Sequence, residues 1–158
     1  MKADEIAFID TNILVYALDS ESPLHLKAID FVNSALRGEL KMGISPQIIG
    51  ELYATITNPK KASHPLSPNE AIDVISPIWE AENIRGIFPK QETLELTLSL
   101  VKRYQLKSLD FFDAQIVATM LDNGVTTIYT VNEDDFAIFK EIKAVNPLKP
   151  LSNAHLSF

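Results

Sequence analysis

Residues 6–12 read Ile6-Ala7-Phe8-Ile9-Asp10-Thr11-Asn12, and this stretch decides the fold. The uninterrupted apolar run over 6–9 reads as a strand covered on both faces, the pattern of parallel sheets. In an open α/β sheet the carboxyl ends of such strands open into the crevice where ligands bind, so Asp10 stands at a site-forming position. A carboxylate followed by a hydroxyl and an amide offers the hard oxygen ligands that Mg²⁺ or Mn²⁺ prefers. The plain alternative is a turn in which Asp10 and Asn12 bond to local backbone.

Outward from this strand the chain alternates helix and strand. The spacing predicts a helix over 23–36, with Ser22 as cap, Pro23 at the first helical position and Leu24, Ala28, Phe31, Val32 and Ala35 on one apolar face. A strand at 42–44 leads through Ser45-Pro46 into a helix over 46–57, closed by Asn58-Pro59. Ser67-Pro68-Asn69-Glu70 is a capping box that opens a helix to about residue 82. A strand over 84–88 precedes a helix over 92–104, with Leu94, Leu98 and Val101 inward. Residues 110–123 form a helix closed by Gly124, followed by a strand over 126–130, a short helix over 134–139 and an edge strand over 143–145. Alternation at this density implies an α/β/α sandwich with a mainly parallel sheet. Residues 1–147 form the domain, and the remainder to 158 is a tail, either an ordered strap or a frayed end.

Composition narrows the chemistry. The 158-residue chain, 46% hydrophobic with five Gly, is long enough for one buried core. It contains no Cys, which excludes disulfides, thiolate zinc sites and Cys nucleophiles. His25, His64 and His155 are scattered and form no ligand spacing. No basic-then-apolar leader and no run of membrane-spanning length is visible, so the expected location is cytoplasmic, away from any membrane. A net charge of −7 is unusual for a protein that grips a phosphate backbone, so action on nucleic acid requires bound cations, local Lys/Arg patches or a basic partner. Lys60-Lys61 with His64, and Lys102-Arg103 with Lys107, are candidates for such patches, against the simpler reading of solvated surface.

Three further acids could converge on Asp10. Asp113 shares a helix face with Ile116, Val117 and Met120. A carboxylate on an apolar stripe costs several kcal/mol when buried alone, so it calls for a metal or cation. The alternative is a first-turn acid favoured by the helix dipole, although Asp110 suits capping better. Glu51 lies at the edge of the face made by Ile48, Ile49, Leu52 and Ile56, as a site residue or as a solvated glutamate. Asn132, Asp134 and Asp135 follow the 126–130 strand and compete for the fourth place, with Asp134 able to cap a helix while Asp135 turns inward. Carboxylates a few Å apart repel by around 4 kcal/mol per pair at an effective dielectric of 20. Such a cluster persists when a divalent cation neutralises it or when some of the acids hold protons.

These residues resemble the PIN-domain ribonucleases, especially the VapC-like toxins of toxin–antitoxin pairs. The resemblance runs through Asp10-Thr11-Asn12-Ile13-Leu14, Gly50-Glu51-Leu52-Tyr53, Thr57-Asn58-Pro59 with Pro65-Leu66-Ser67-Pro68, Phe112-Asp113-Ala114-Gln115-Ile116-Val117-Ala118-Thr119, Thr130-Val131-Asn132 with Asp135-Phe136, and Val145-Asn146-Pro147. Ala54 stands where these toxins often carry Arg. The resemblance implies a three-layer α/β/α fold with a mainly parallel five-stranded sheet. It also implies Mg²⁺ (or Mn²⁺) held by Asp10, Asp113, Glu51 and Asp135, with Asp10 and Asp113 the principal ligands and Asp135 or a neighbour helping to polarise the attacking water. Thr11, Asn12, Thr130, Asn132 and Asp134 would support this set. The implied activity is cleavage of single-stranded RNA, by a homodimer held inactive by a small antitoxin whose tail crosses the acidic site. A housekeeping RNA-processing nuclease and a non-catalytic PIN-like binding module are the alternatives. Turnover separates the module from either enzyme, and an upstream antitoxin-like reading frame separates toxin from housekeeping nuclease. A haloacid-dehalogenase phosphatase needs a second Asp where Asn12 stands, and a receiver domain needs a strand-end Lys that is not present.

Overall fold

The computed structural model describes residues 5–150. Five strands, β1 (Ala7–Ile9), β2 (Met42–Ile44), β3 (Ile84–Gly86), β4 (Thr127–Tyr129) and β5 (Lys143–Val145), pair in the order β3-β2-β1-β4-β5. Every pairing is parallel, with Phe8 opposite both Gly43 and Ile128. All the carboxyl ends therefore lie on one edge. The chain runs from β1 outward through β2 to β3, then crosses to the other side of β1 to lay down β4 and β5. The β1–β4 boundary is thus the point where strand order reverses, and a crevice opens there.

The sheet is three-layered in the way its sequence pattern demands. Ala7, Phe8 and Ile9 are fully buried, and the helices α1 (Thr11–Leu18), α2 (His25–Leu36), α3 (Pro46–Ile56), α4 (Pro68–Trp79), α5 (Thr93–Tyr104), α6 (Asp110–Asp122) and α7 (Glu133–Phe136) accompany the strands. The ladder extends a residue past the strand limits, since Asp10 N–H donates to Tyr129 O at 2.9 Å and Thr130 N–H to Val145 O at 3.0 Å. The expected strands over 6–9 and 126–130 differ from the observed ones by such fringe residues only. Among the described residues, no helix is long and apolar enough to cross a membrane.

The structure corrects the sequence reading in four places. Residues 11–18 form α1, a helix to which the sequence reading assigns no element; Asp10 is its N-cap, and Ile13, Leu14 and Ala17 are its buried side. The next helix begins at His25 rather than Pro23, because Ser22 Oγ accepts from Leu24 N–H at 3.1 Å and forms a turn ahead of the helix. Helix α5 is rotated from the expected face. Thr93, Thr97 and Leu100 point inward, while Leu94 and Leu98 are 57% and 52% exposed. Burial of the threonines is possible because Thr97 Oγ1 donates to Thr93 O at 2.8 Å and Thr93 Oγ1 donates to Asp122 Oδ2 at 2.5 Å. The short helix is Glu133–Phe136 rather than 134–139, and its N-cap is Asn132, so Asp134 caps nothing.

The capping box at Ser67 and Glu70 forms in both directions: Ser67 N–H donates to Glu70 Oε2 at 2.8 Å and Glu70 N–H to Ser67 Oγ at 3.4 Å. Helix α6 is buried over Ala114 and 116–120, almost all round, and Gly124 ends the segment at φ +71°, where a Cβ would be strained. Beyond β5, Leu148 is buried in the core and Lys149 pairs with Glu133; residues 151–158, with His155, lie outside the described residues.

Candidate active site

Asp10 leaves β1 and caps α1, its Oδ1 accepting from Thr11 N–H at 2.7 Å. Its Oδ2 accepts from the Thr130 hydroxyl at 2.7 Å and the Asn12 side-chain amide at 2.9 Å. Thr130 Oγ1 also accepts from Asn132 N–H at 3.0 Å and from Asn12 Nδ2 at 3.1 Å, while Asn12 Oδ1 accepts from Val131 N–H at 3.2 Å. Asn12 thus ties the end of β1 to the end of β4, and the carboxylate orientation is fixed from both strands.

Glu51, on the second turn of α3, is held just as firmly. Its Oε2 accepts from Thr11 Oγ1 at 2.8 Å and its Oε1 from Gln47 Nε2 at 2.9 Å. Gln47 Nε2 also donates to Phe112 O at 3.2 Å, next to Asp113, and so links α3 to the start of α6. Asp113 stands half-buried in the first turn of α6; Asp110 takes the first helical position and makes no capping bond. Asp135 projects from α7.

Asp10, Glu51, Asp113 and Asp135 line one cleft of about 580 Å³, together with Thr11, Asn12 and Asn132. Asp134 lines a neighbouring hollow with Glu133 and Lys149 instead. Of the three residues competing to complete the set, Asp135 is the carboxylate in the cleft. Lys61 of the 60–64 patch also reaches it, whereas Lys102, Arg103 and Lys107 do not, and Arg103 pairs with Glu141.

The electrostatics follow from the packing. Burial pushes the Asp113 carboxyl up to about 6, and repulsion from Asp135, Asp10 and Glu51 adds to it. Burial also raises Asp10 above the usual carboxylate range, against the hydrogen bonds from Thr130 and Thr11 that hold it down. These like-charged groups suit a hard divalent cation: every available donor is oxygen, and a cation relieves both penalties at once. Among the described residues, no three acidic side chains close into a cage. An open cleft fits Mg²⁺ all the same, since that ion keeps several waters and takes one or two carboxylates together with substrate phosphates.

The family described as the PIN domain matches residues 7–143, nearly the whole of the described chain. The chain belongs to the PIN-domain family. This PIN domain is 26% identical over 145 residues to Ribonuclease VapC24 of Mycobacterium tuberculosis, an alignment covering 89% of this chain and 95% of that protein. Its fold is similar to the crystal structure of Mycobacterium tuberculosis VapC20, a sarcin–ricin loop cleaving toxin, with TM-score 0.64 and 19% identity over 88% of this chain and 99% of that one. It is also similar to a chain of a toxin–antitoxin complex from Klebsiella pneumoniae, with TM-score 0.56 and 22% identity over 89% and 97% of the two chains.

Sequence reasoning missed Gln47, which holds Glu51, and Tyr16, which lines the PIN-domain cleft. Gln47 escaped because its partners, Glu51 and Phe112, are 4 and 65 residues away, although the first of these is a helical i,i+4 spacing that could have shown it. Tyr16 lines the cleft only because α1 exists.

Proposed function

We propose that this PIN domain is a divalent-metal-dependent endoribonuclease that cuts single-stranded RNA and serves as the toxin of a toxin–antitoxin pair. The observation that carries the reading is the cleft in which four carboxylates meet at the carboxyl ends of β1 and β4. In the proposed site Asp10 and Asp113 hold Mg²⁺ or Mn²⁺, and Glu51 and Asp135 act directly or through water. Such an ion, when bound, supplies charge opposite the phosphate and a more acidic water. Asp135 would accept a proton from the attacking water as the water oxygen bonds to phosphorus, while the scissile P–O bond breaks and the leaving oxygen takes a proton from solvent. Thr11, Asn12 and Thr130 keep the Asp10 and Glu51 oxygens aimed by donating to them.

The ribonuclease name of the 26%-identical relative supports RNA as substrate. Likeness to a chain taken from a toxin–antitoxin complex supports a small antitoxin as partner. Its basic tail would lie across the acidic cleft of a chain whose net charge is −7. The working form is proposed to be a cytoplasmic homodimer, a reading supported by Tyr53 and Ile72, which are exposed on α3 and α4.

The test is incubation of purified protein with a mixed RNA pool in Mg²⁺, Mn²⁺ or EDTA, beside Asp113→Asn. Cutting that needs the metal and is lost in the variant is expected. Equal cutting by the variant removes the acidic cleft from the reaction.

A further inference from the structure

Next to the acidic cleft lies a second cavity of about 140 Å³. Its walls are largely apolar, from Val15 and Leu18 of α1, Ile56 of α3, and Leu66. Val15, Asp19, Thr55 and Lys61 line both spaces, so the two adjoin.

The wall formed by the loop between α3 and α4 is built rather than slack. Lys61 N–H and Ala62 N–H both donate to Asn58 O, at 3.0 and 2.9 Å, and Asn58 Oδ1 accepts from Lys60 N–H at 2.9 Å. Leu66 N–H donates to Ile56 O at 2.9 Å, which returns the loop to the helix it left. At the rim, His64 Nε2 lies 3.0 Å from Glu21 Oε1, which joins this loop to the one that follows α1. The tight turn at Asn58 presents Lys61 at the boundary of the two spaces, and among the described residues lining the acidic cleft Lys61 is the one cationic side chain.

We propose that the side cavity is a base-recognition pocket for a pyrimidine next to the scissile bond, with Lys61 holding the phosphate between that nucleotide and the cleavage site. The inference rests on the nuclease reading above. The chemistry of the two spaces together describes a nucleotide: a cation at the boundary for the phosphate, and beside it an apolar slot with hydroxyls at its edge, from Thr55, Ser20 and Ser63, for a flat polar-edged ring. An apolar cavity of about 150 Å³ takes one benzene-sized ring, so 140 Å³ matches a pyrimidine and is small for a fused purine. Lys61 at this boundary attracts the phosphate of an anionic strand.

The experiment uses the full chain and a set of single-stranded RNA oligonucleotides that differ only in the base, or its absence, on either side of one cleavable bond. At one of the two flanking positions, pyrimidines are expected to be cleaved about tenfold faster than purines. Ala62→Phe, which fills the pocket, lowers the pyrimidine rate to that of the abasic oligonucleotide. Ser63→Phe fills it from the exposed rim and serves if Ala62→Phe fails to fold. Lys61→Met raises KM about tenfold for every base and lowers the salt slope of binding by about one, with kcat within twofold. Cleavage with no base preference, or with a preference that persists in a folded filling variant, overturns the pocket while leaving the nuclease standing. So does a result in which these variants only weaken association with a partner protein. Absence of metal-dependent cleavage on every RNA overturns the nuclease reading itself.

Discussion

Asp10 and Asp113 are the two acids whose ionisation burial disfavours most visibly, yet their neighbours differ, and so do the consequences of replacing them. Both Asp10→Asn and Asp113→Asn are expected to abolish RNA cleavage, measured on a labelled oligonucleotide. Their stabilities part. Asn at position 10 still caps α1, but one of its oxygens becomes an NH₂ among the donors Thr11, Asn12 and Thr130, which costs about 1–3 kcal/mol. Asp113→Asn removes a repelling charge. With the folded carboxyl at about 6 against an ordinary 3.8, the native protein holds the extra proton between those values, and stability falls as pH rises through that window. In EDTA, Asp113→Asn should therefore melt above the wild type at pH 7 to 8, with the gap shrinking towards pH 4; a gap that grows on acidification would refute this sign. Thr130→Val tests the support of Asp10. It removes the hydroxyl that donates to Asp10 Oδ2 and accepts from Asn132 N–H. A loss of about 10–100-fold in metal affinity or activity is expected, read by calorimetric titration and by rate.

At the scale of elements, the acids depend on where helices begin. Asp10 serves both as ligand candidate and as N-cap, so one side chain ends β1, starts α1 and lines the cleft. Helix α5 shows the limit of periodicity: Leu94 and Leu98 outline a face as convincing as that of Thr93, Thr97 and Leu100, but the threonine face is the one that packs. A clean check follows. Leu98→Gln should change stability by no more than about 0.5 kcal/mol, while Leu100→Ala, at a position 1% exposed, should cost about 2–5 kcal/mol. Denaturant melts of both variants decide it, and equal losses would return α5 to the orientation read from its leucines.

Across the whole molecule, a five-stranded parallel sheet brings together acids that are up to 125 residues apart in the chain, Asp10 and Asp135, at the reversal of strand order. Their mutual repulsion makes stability responsive to a divalent cation. At a hundredfold excess over Kd, Mg²⁺ should raise the wild-type Tm by roughly 5–10 °C, and Asp113→Asn should lose most of that rise in the same scan. The parallel α/β class, the strand-end position of Asp10 and the capping box at Ser67 were legible in the sequence, because each depends on residues within a few positions of one another. Helix α1, the face of α5, the roles of Gln47 and Tyr16, the separation of Asp135 from Asp134, and the place of Lys61 between two cavities were decided only by the tertiary structure. Local propensity states what a segment tolerates. Which of two acceptable faces is buried, and which of three neighbouring polar residues enters a cleft, is set by partners far along the chain whose packing and hydrogen bonds no local pattern encodes.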